Sequence, residues 1–179
     1  MVTIIFESHS TTTDNEAKLA TGWDDTSLSK LGEEQAKDLG TRRADDHFDA
    51  IFCSDLQRSY RTAELAFGDK FPIVQDKRLR ECNYGSLNSA PKADVEALRE
   101  TSLTVPYPDG ESYEDTSQRM KEFLQDLLAD YDGKTVMIIG HRATQYGLER
   151  WIAGKSLYDA VLSPWAWQAG WEYELTTAP

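Results

Sequence analysis

The chain has 179 residues, too few for two substantial hydrophobic cores, and its 40% of hydrophobic residues suffices for a single folded domain over 1–179. Acidic residues outnumber basic ones by 31 to 19, which gives a formal net charge of −12. This charge argues against nucleic acid or an anionic membrane as a partner, because both bind clustered lysine and arginine.

Two cysteines, Cys53 and Cys82, follow no metal-ligand or redox spacing, so we expect two reduced, buried thiols. The start "MVTIIFESHS" lacks the basic residues and the longer apolar stretch of a signal peptide. No stretch is apolar over the length of a membrane span. These features predict a cytoplasmic protein.

Apolar runs and amphipathic segments alternate along the chain. Short apolar runs predict strands at residues 2–6, 48–54, 71–76, 135–140 and 171–177. Apolar residues at helical spacing predict helices at residues 27–44, 54–68, 112–134 and 144–154, and another helix after a loop within 78–100. The alternation predicts an α/β fold, a three-layer α/β/α sandwich with a mostly parallel central sheet.

Polar residues of catalytic types stand where three predicted strands end. The strand "IIFES" leads into His9, the strand "VMIIG" leads into His141, and "IFCS" leads into "SDLQR", which ends at Arg58. Ligands of such sheets bind outside the carboxyl ends of the strands, so we expect these three side chains around one rim. A lone histidine at a strand end is usually an ordinary polar residue, but two in this arrangement favour a functional site.

Segments in the same order and at similar spacing occur in the histidine phosphatase superfamily, which has the phosphoglycerate mutase-like fold, and the chain resembles that family over nearly its whole length. The matching segments are His9 with Thr12 and Asn15, "TGW" at 21–23, "LSKLGEEQA" at 28–36, "SDLQR" at 54–58, "LRECNYG" at 79–85, "DGES" at 109–112 and "IIGH" ending at His141. No single segment is specific, whereas the ordered set is strong evidence.

The resemblance implies a role for each matching residue. It makes His9 a nucleophile that accepts a phosphoryl group, Glu81 the general acid and His141 the second histidine of the pocket. It assigns phosphate binding to Arg58, Asn15 and the backbone amides near Thr21 and Gly22. The residue types suit this chemistry, because a neutral imidazole is a nucleophile and a guanidinium matches phosphate oxygens. No metal or cofactor is implied.

The first motif departs from the family pattern at three positions, one of which is Thr11 in place of an acidic or amide residue. Ser8 stands where the family has a phosphate-binding arginine, and Ser10 stands where it has a glycine; both hydroxyls are candidate phosphate contacts. Losing one preorganised donor typically costs on the order of 3 kcal/mol in the transition state. Arg142, directly after His141, is a candidate replacement. The alternative is that Arg142 points to solvent or pairs with Glu7.

The predicted function is a metal-independent phosphomonoesterase that acts on a small phosphorylated metabolite. Two alternatives stay open: a catalytically impaired relative that binds a phosphorylated ligand or partner, and a phosphoglycerate mutase-type enzyme. The mutase is less favoured because the stretch from Glu81 to "PDGES" is short and poor in basic residues. The aromatic segment "WAWQAGWEYE" predicts core and sheet-edge packing, with a wall facing the substrate as the alternative. A homodimer is also left open.

Overall fold

The computed structural model describes residues 1–179. The strands are β1 (Val2–Ser8), β2 (Leu19–Ala20), β3 (Ala50–Cys53), β4 (Ile73–Gln75), β5 (Ala90–Pro91), β6 (Thr135–Gly140) and β7 (Trp171–Leu175). The α-helices are α1 (Thr13–Glu16), α2 (Lys30–Arg42), α3 (Gln57–Phe67), α4 (Lys92–Leu98), α5 (Tyr113–Tyr131), α6 (Arg142–Trp151) and α7 (Leu157–Leu162).

The central sheet has five strands in the order β4-β3-β6-β1-β7, and only the edge strand β7 runs antiparallel to its neighbour. A separate two-stranded sheet pairs β2 with β5. Because β1 and β6 are parallel neighbours with Ser8 opposite Gly140, the residues that follow them, His9 and His141, emerge side by side. The fold therefore creates the shared rim that the strand ends predict.

Helices cover both faces of the sheet. Along β6, Val136 and Ile138 pack on one side with α5 and α6, whereas Met137 and Ile139 pack on the other side with α2 and α3. Alternate residues of a strand point to opposite faces, so a strand buried on both sides reads as an uninterrupted apolar run. The predicted α/β/α arrangement with a mostly parallel sheet is confirmed.

The predicted elements of the central layers are all present, with ends shifted by a few residues. Helix α6 begins at Arg142 rather than at 144, because His141 is its N-cap and its backbone N–H donates to Thr144 Oγ1 at 3.0 Å. The sequence patterns did not predict α1, α7 or the β2–β5 pair, which are too short to show a period. No helix has both the length and the apolar character needed to cross a membrane. Cys53 and Cys82 are free, buried thiols, as expected.

Candidate active site

All ten residues that the sequence singles out line one cavity of about 1020 Å³ at the carboxyl end of the parallel strands. They are Ser8, His9, Ser10, Asn15, Thr21, Gly22, Arg58, Glu81, His141 and Arg142. Six basic and four acidic side chains line this cavity, in a chain where acidic residues are in large excess. The cavity is therefore a locally basic surface suited to an anion.

His9 lies at the centre, where the β1 backbone ends. Its backbone N–H donates to Gly140 O at 3.0 Å, and its ring Nδ1 lies 2.8 Å from Ser10 O. A carbonyl oxygen only accepts, so Nδ1 carries the proton and Nε2 keeps a free lone pair. Burial, and secondly the charge of Arg58, lower the pKa of His9 to about 3. The ring is therefore a neutral imidazole near pH 7, which is the nucleophilic form.

His141 is buried beside His9, with 5.0 Å between the ring centroids. Its Nε2 lies 2.7 Å from Ser54 Oγ, while its buried Nδ1 has no partner within the protein. Burial and the charge of Arg58 hold the pKa of His141 well below its usual value. The Ser54 hydroxyl also accepts from the Leu56 N–H at 3.3 Å. When that hydroxyl donates its own proton to Nε2, the His141 proton lies on Nδ1, which has no acceptor in the protein.

Arg58 enters the cavity from the first turn of α3 and is almost fully buried. Its guanidinium donates to Gly22 O at 2.6 Å and to Asp24 O at 3.1 Å, and it forms no ion pair with a carboxylate. Neutral carbonyls fix the orientation of the group without cancelling its charge. Arg58 is therefore placed as a preorganised cation for an anionic ligand.

Glu81 is held at the first turn of α6. Its Oε1 accepts from the backbone N–H groups of Cys82 at 2.8 Å and Ala143 at 3.1 Å, and its Oε2 accepts from Arg142 N at 3.1 Å. The side chain is buried but faces the cavity. These three donors fix the carboxyl group at the rim, within the same cavity as His9.

The smaller polar groups of the cavity also have free donors. Asn15 forms a capping box with Thr12 through its Oδ1, and its Nδ2 has no acceptor in the protein. The backbone N–H groups of Thr21 and Gly22 likewise have none, and Gly22 has a φ of 57°, which favours glycine. Ser10 is held by its N–H, which donates to Thr62 Oγ1 at 3.0 Å.

Arg142 lines the cavity and does not pair with Glu7. Glu7 pairs instead with Arg42 at 2.8 Å and Arg43 at 2.9 Å, so a pairing of Arg142 with Glu7 is wrong. The Arg142 guanidinium is half-buried, and its Cζ lies 4.3 Å from the ring centroid of Trp165. Trp165 and Trp167 line the cavity, so core packing is the wrong expectation for these two residues, while Trp171 lies in the edge strand as expected.

Several contact residues were missed by sequence reasoning. Ser54 and Thr62 orient His141 and Ser10 from positions 87 and 52 residues away in the sequence, and Trp165 contacts Arg142 from a segment without periodicity. Serine and threonine carry no distinctive pattern, so no signal in the sequence marks them. Ser54 is the partial exception, because it begins the "SDLQR" segment.

Comparison with known proteins identifies the family. The sequence model of the histidine phosphatase superfamily (branch 1) matches residues 4–161. The chain belongs to this superfamily. It is accordingly an enzyme of the phosphatase type, and the predicted family and enzyme class are confirmed.

Individual relatives are similar over most of the chain. A protein of Cytophaga hutchinsonii named 2,3-bisphosphoglycerate-dependent phosphoglycerate mutase is 33% identical over 168 residues, which cover 84% of this chain and 78% of that one. The solved structure of Bacillus stearothermophilus YhfR has a TM-score of 0.83 at 26% identity, with 94% and 88% coverage. The alpha-ribazole phosphatase of Shigella flexneri has a TM-score of 0.76 at 26% identity, with 88% and 83% coverage. Mutases and phosphatases are thus both among the similar proteins.

Proposed function

We propose that this chain is a phosphomonoesterase that hydrolyses small phosphorylated metabolites through a phosphohistidine on His9. The observation that carries the proposal is the state of the His9 ring. Its Nδ1 is bound to a carbonyl oxygen, its pKa is about 3, and its free Nε2 belongs to a side chain that lines a basic cavity. A neutral imidazole fixed in this way can attack phosphorus directly.

The first half of the reaction transfers the phosphoryl group to the enzyme. His9 Nε2 forms a bond to phosphorus as the bond from phosphorus to the ester oxygen breaks. The protonated carboxyl group of Glu81 gives its proton to the departing alkoxide, which leaves as an alcohol. Arg58, the Nδ1–H of His141, the Asn15 amide and the backbone N–H groups of Thr21 and Gly22 donate to the phosphoryl oxygens.

The second half releases phosphate. Glu81, now a carboxylate, accepts a proton from a water molecule whose oxygen attacks phosphorus. The bond between phosphorus and Nε2 breaks, and its electron pair returns to His9. The products are inorganic phosphate, a neutral His9 and a protonated Glu81, so the enzyme is ready for another turnover.

Two measurements test this function. A chromogenic phosphate monoester assayed between pH 5 and 8 should be hydrolysed by the wild type and not by His9→Ala. Mass spectrometry after rapid acid-free quenching should find a phosphoryl group on the peptide that contains His9 during turnover of a metabolite panel. Equal rates for wild type and His9→Ala across the panel would contradict the proposal. They would favour the alternative, a non-catalytic protein that binds a phosphorylated ligand.

A mutase is the second candidate, and the similarity to the protein of Cytophaga hutchinsonii favours testing it. The discriminating assay offers 3-phosphoglycerate with and without 2,3-bisphosphoglycerate. Isomerisation to 2-phosphoglycerate that depends on the bisphosphate and outpaces phosphate release would replace hydrolysis as the main activity. The cavity of about 1020 Å³ exceeds what a phosphoryl group fills and leaves room for water, which supports hydrolysis.

A further inference from the structure

The phosphate pocket has one cation fewer than the resemblance implies, because Ser8 stands where the family has an arginine. Ser8 is half-buried at the last residue of β1 and lines the cavity beside His9. A serine hydroxyl can donate one hydrogen bond, whereas a guanidinium offers five N–H donors and a full charge. Unless another residue supplies that charge, Arg58 is the only arginine with a free charge near His9.

The arginines of this chain divide into two groups by their partners. Eight of the ten lie within 4.0 Å of a carboxylate oxygen, as expected where acidic residues are in excess. The other two are Arg58 and Arg142, and both line the cavity. An arginine that has no carboxylate partner in so acidic a protein keeps its full charge and can bind an anionic ligand. Arg142, like Arg58, therefore offers a phosphate ligand a positive charge that no carboxylate neutralises.

The Arg142 guanidinium is held by neutral groups. Its Nη2 donates to Tyr146 Oη at 3.2 Å and its Nη1 approaches Gln145 Oε1 at 3.4 Å. Its Cζ lies 4.3 Å from the centroid of the Trp165 ring and 5.0 Å from that of Tyr146. Stacking on aromatic rings fixes the plane of a guanidinium while leaving its charge intact. The group is oriented before any ligand arrives.

Trp165 is itself fixed by the protein. Its Nε1 donates to Gln145 Oε1 at 2.9 Å, and its ring stacks on Trp171 with 6.1 Å between centroids and 23° between planes. Trp171 belongs to β7, the neighbour of β1. The segment between α7 and β7 therefore connects the sheet edge to Arg142, and Trp165 is the contact.

The backbone of Arg142 is already part of the site. Its N–H donates to Glu81 Oε2, and it follows His141 directly in the chain. We propose that Arg142, held in place by Trp165, supplies to the phosphoryl group the guanidinium that Ser8 lacks. The catalytic part of this inference rests on the proposed function, whereas the phosphate-binding part does not. Arg142 binds the ligand, and Trp165 is a positioning residue.

The experiment combines phosphate affinity with turnover. Inorganic phosphate binding is measured by calorimetry, and kcat/KM is measured with a chromogenic monoester. We expect Arg142→Ala to weaken phosphate binding at least tenfold and to lower kcat/KM about a hundredfold. Arg150→Ala, on the same helix but paired with Glu114 outside the cavity, is the matched control and should leave both values unchanged.

A rescue experiment tests whether an arginine at position 8 can replace Arg142. It distinguishes the loss of the Arg142 charge from general damage to the pocket. Ser8→Arg combined with Arg142→Ala should recover at least tenfold of the lost phosphate affinity. A folded double variant that recovers nothing would overturn the exchange, and so would an Arg142→Ala variant that binds phosphate like the wild type. If wild type hydrolyses no ester while Arg142→Ala still weakens phosphate binding, the proposed function fails and this inference stands.

A double-mutant cycle tests the role of Trp165. Trp165→Ala should weaken phosphate binding severalfold in the wild type and have no further effect when Arg142 is already alanine. Trp165→Phe, which keeps an aromatic ring against the guanidinium, should restore most of the affinity. Equal effects of Trp165→Ala in both backgrounds would show that Trp165 acts independently of Arg142, which would overturn the positioning role.

Discussion

At the scale of single residues, the two histidines show how burial prepares a nucleophile. His9 and His141 lie side by side next to Arg58, and burial together with that charge lowers the pKa of each ring. A neutral imidazole costs little to bury, whereas a charged one would be desolvated beside a cation. The same environment that makes His9 nucleophilic therefore makes the folded state sensitive to acid.

The pH dependence of stability follows from the His9 pKa. The folded protein binds a proton at His9 only near pH 3, whereas the unfolded chain binds it below about 6.5, so stability is lost as the pH falls through that range. His9→Asn removes this difference, and the slope of unfolding free energy against pH between 4.5 and 6 should fall by up to about 1.4 kcal/mol per pH unit. Urea unfolding at several pH values measures it, and identical slopes for both proteins would contradict the His9 pKa.

The site could be predicted where its residues follow a strand or a motif. His9, His141, Arg58 and Glu81 were assigned to one site from strand ends and from the family resemblance, and the structure places them in one cavity. The partner of Glu7 could not be predicted, because its pairing with Arg42 and Arg43 depends on where the C-terminal end of α2 lies in the fold. Such contacts depend on three-dimensional packing and leave no periodic pattern in the sequence.

At the scale of elements, two helices hold Glu81 in place. The first turn of α6 binds its carboxyl group, while Arg119 on α5 binds the backbone around it. The Arg119 guanidinium donates to the carbonyl oxygens of Arg78 at 2.6 Å, Arg80 at 2.8 Å and Glu81 at 2.9 Å. It also pairs with Glu111, which accepts from the Asn83 N–H at 2.9 Å. The loop that carries the proposed acid is therefore anchored to the longest helix.

Replacing Arg119 should disturb both stability and catalysis. Arg119→Met leaves Glu111 without its cation and removes the Arg119 donor from the carbonyl oxygens of Arg78 and Arg80, and we expect a loss of at least about 2 kcal/mol in unfolding free energy. The kcat should fall about tenfold with little change in phosphate affinity, because Glu81 shifts and Arg58 does not.

The control is Arg61→Met, which breaks an exposed pair with Glu64 and should cost less than about 0.5 kcal/mol. Denaturant unfolding and steady-state kinetics measure both variants. An Arg119→Met enzyme with wild-type kcat would show that the loop holds Glu81 without this anchor.

Long apolar elements were predicted more reliably than short polar ones. Strand β6 matches its predicted bounds, because a run buried on both faces is unmistakable. Helix α7 and the small β2–β5 pair are held by contacts with other elements rather than by their own pattern, so sequence periodicity misses them. The predicted start of α6 differs from the observed one because histidine is an uncommon N-cap residue.

At the scale of the whole molecule, charge is distributed unevenly. The net charge is −12, yet basic side chains outnumber acidic ones in the cavity by six to four. The remainder of the chain is therefore more acidic than its total charge suggests. Like charges spread over a small surface repel one another and destabilise the compact state, and salt screens that repulsion.

Added sodium chloride should stabilise the protein. Between 20 and 300 mM at pH 7.5, we expect a rise in Tm of about 2–4 °C for each ~1 kcal/mol of repulsion that is screened. The control replaces four exposed carboxylates that form no ion pair, as Glu34→Gln, Asp45→Asn, Asp69→Asn and Asp130→Asn, and its Tm should depend less on salt. Calorimetry measures both proteins, and a Tm that falls with salt would show that attractive pairs dominate.

The pairing of β1 has a consequence for how this protein is made. Strand β1 carries the nucleophile, and its only partners are β6 and β7, which lie more than 120 residues further along the chain. At ribosomal speeds this separation corresponds to on the order of ten seconds. Throughout that time the apolar segment "VTIIF" has both of its edges unpaired, where another chain could bind. The interval between synthesis of β1 and synthesis of β6 is thus a time in which β1 is open to pairing with another chain.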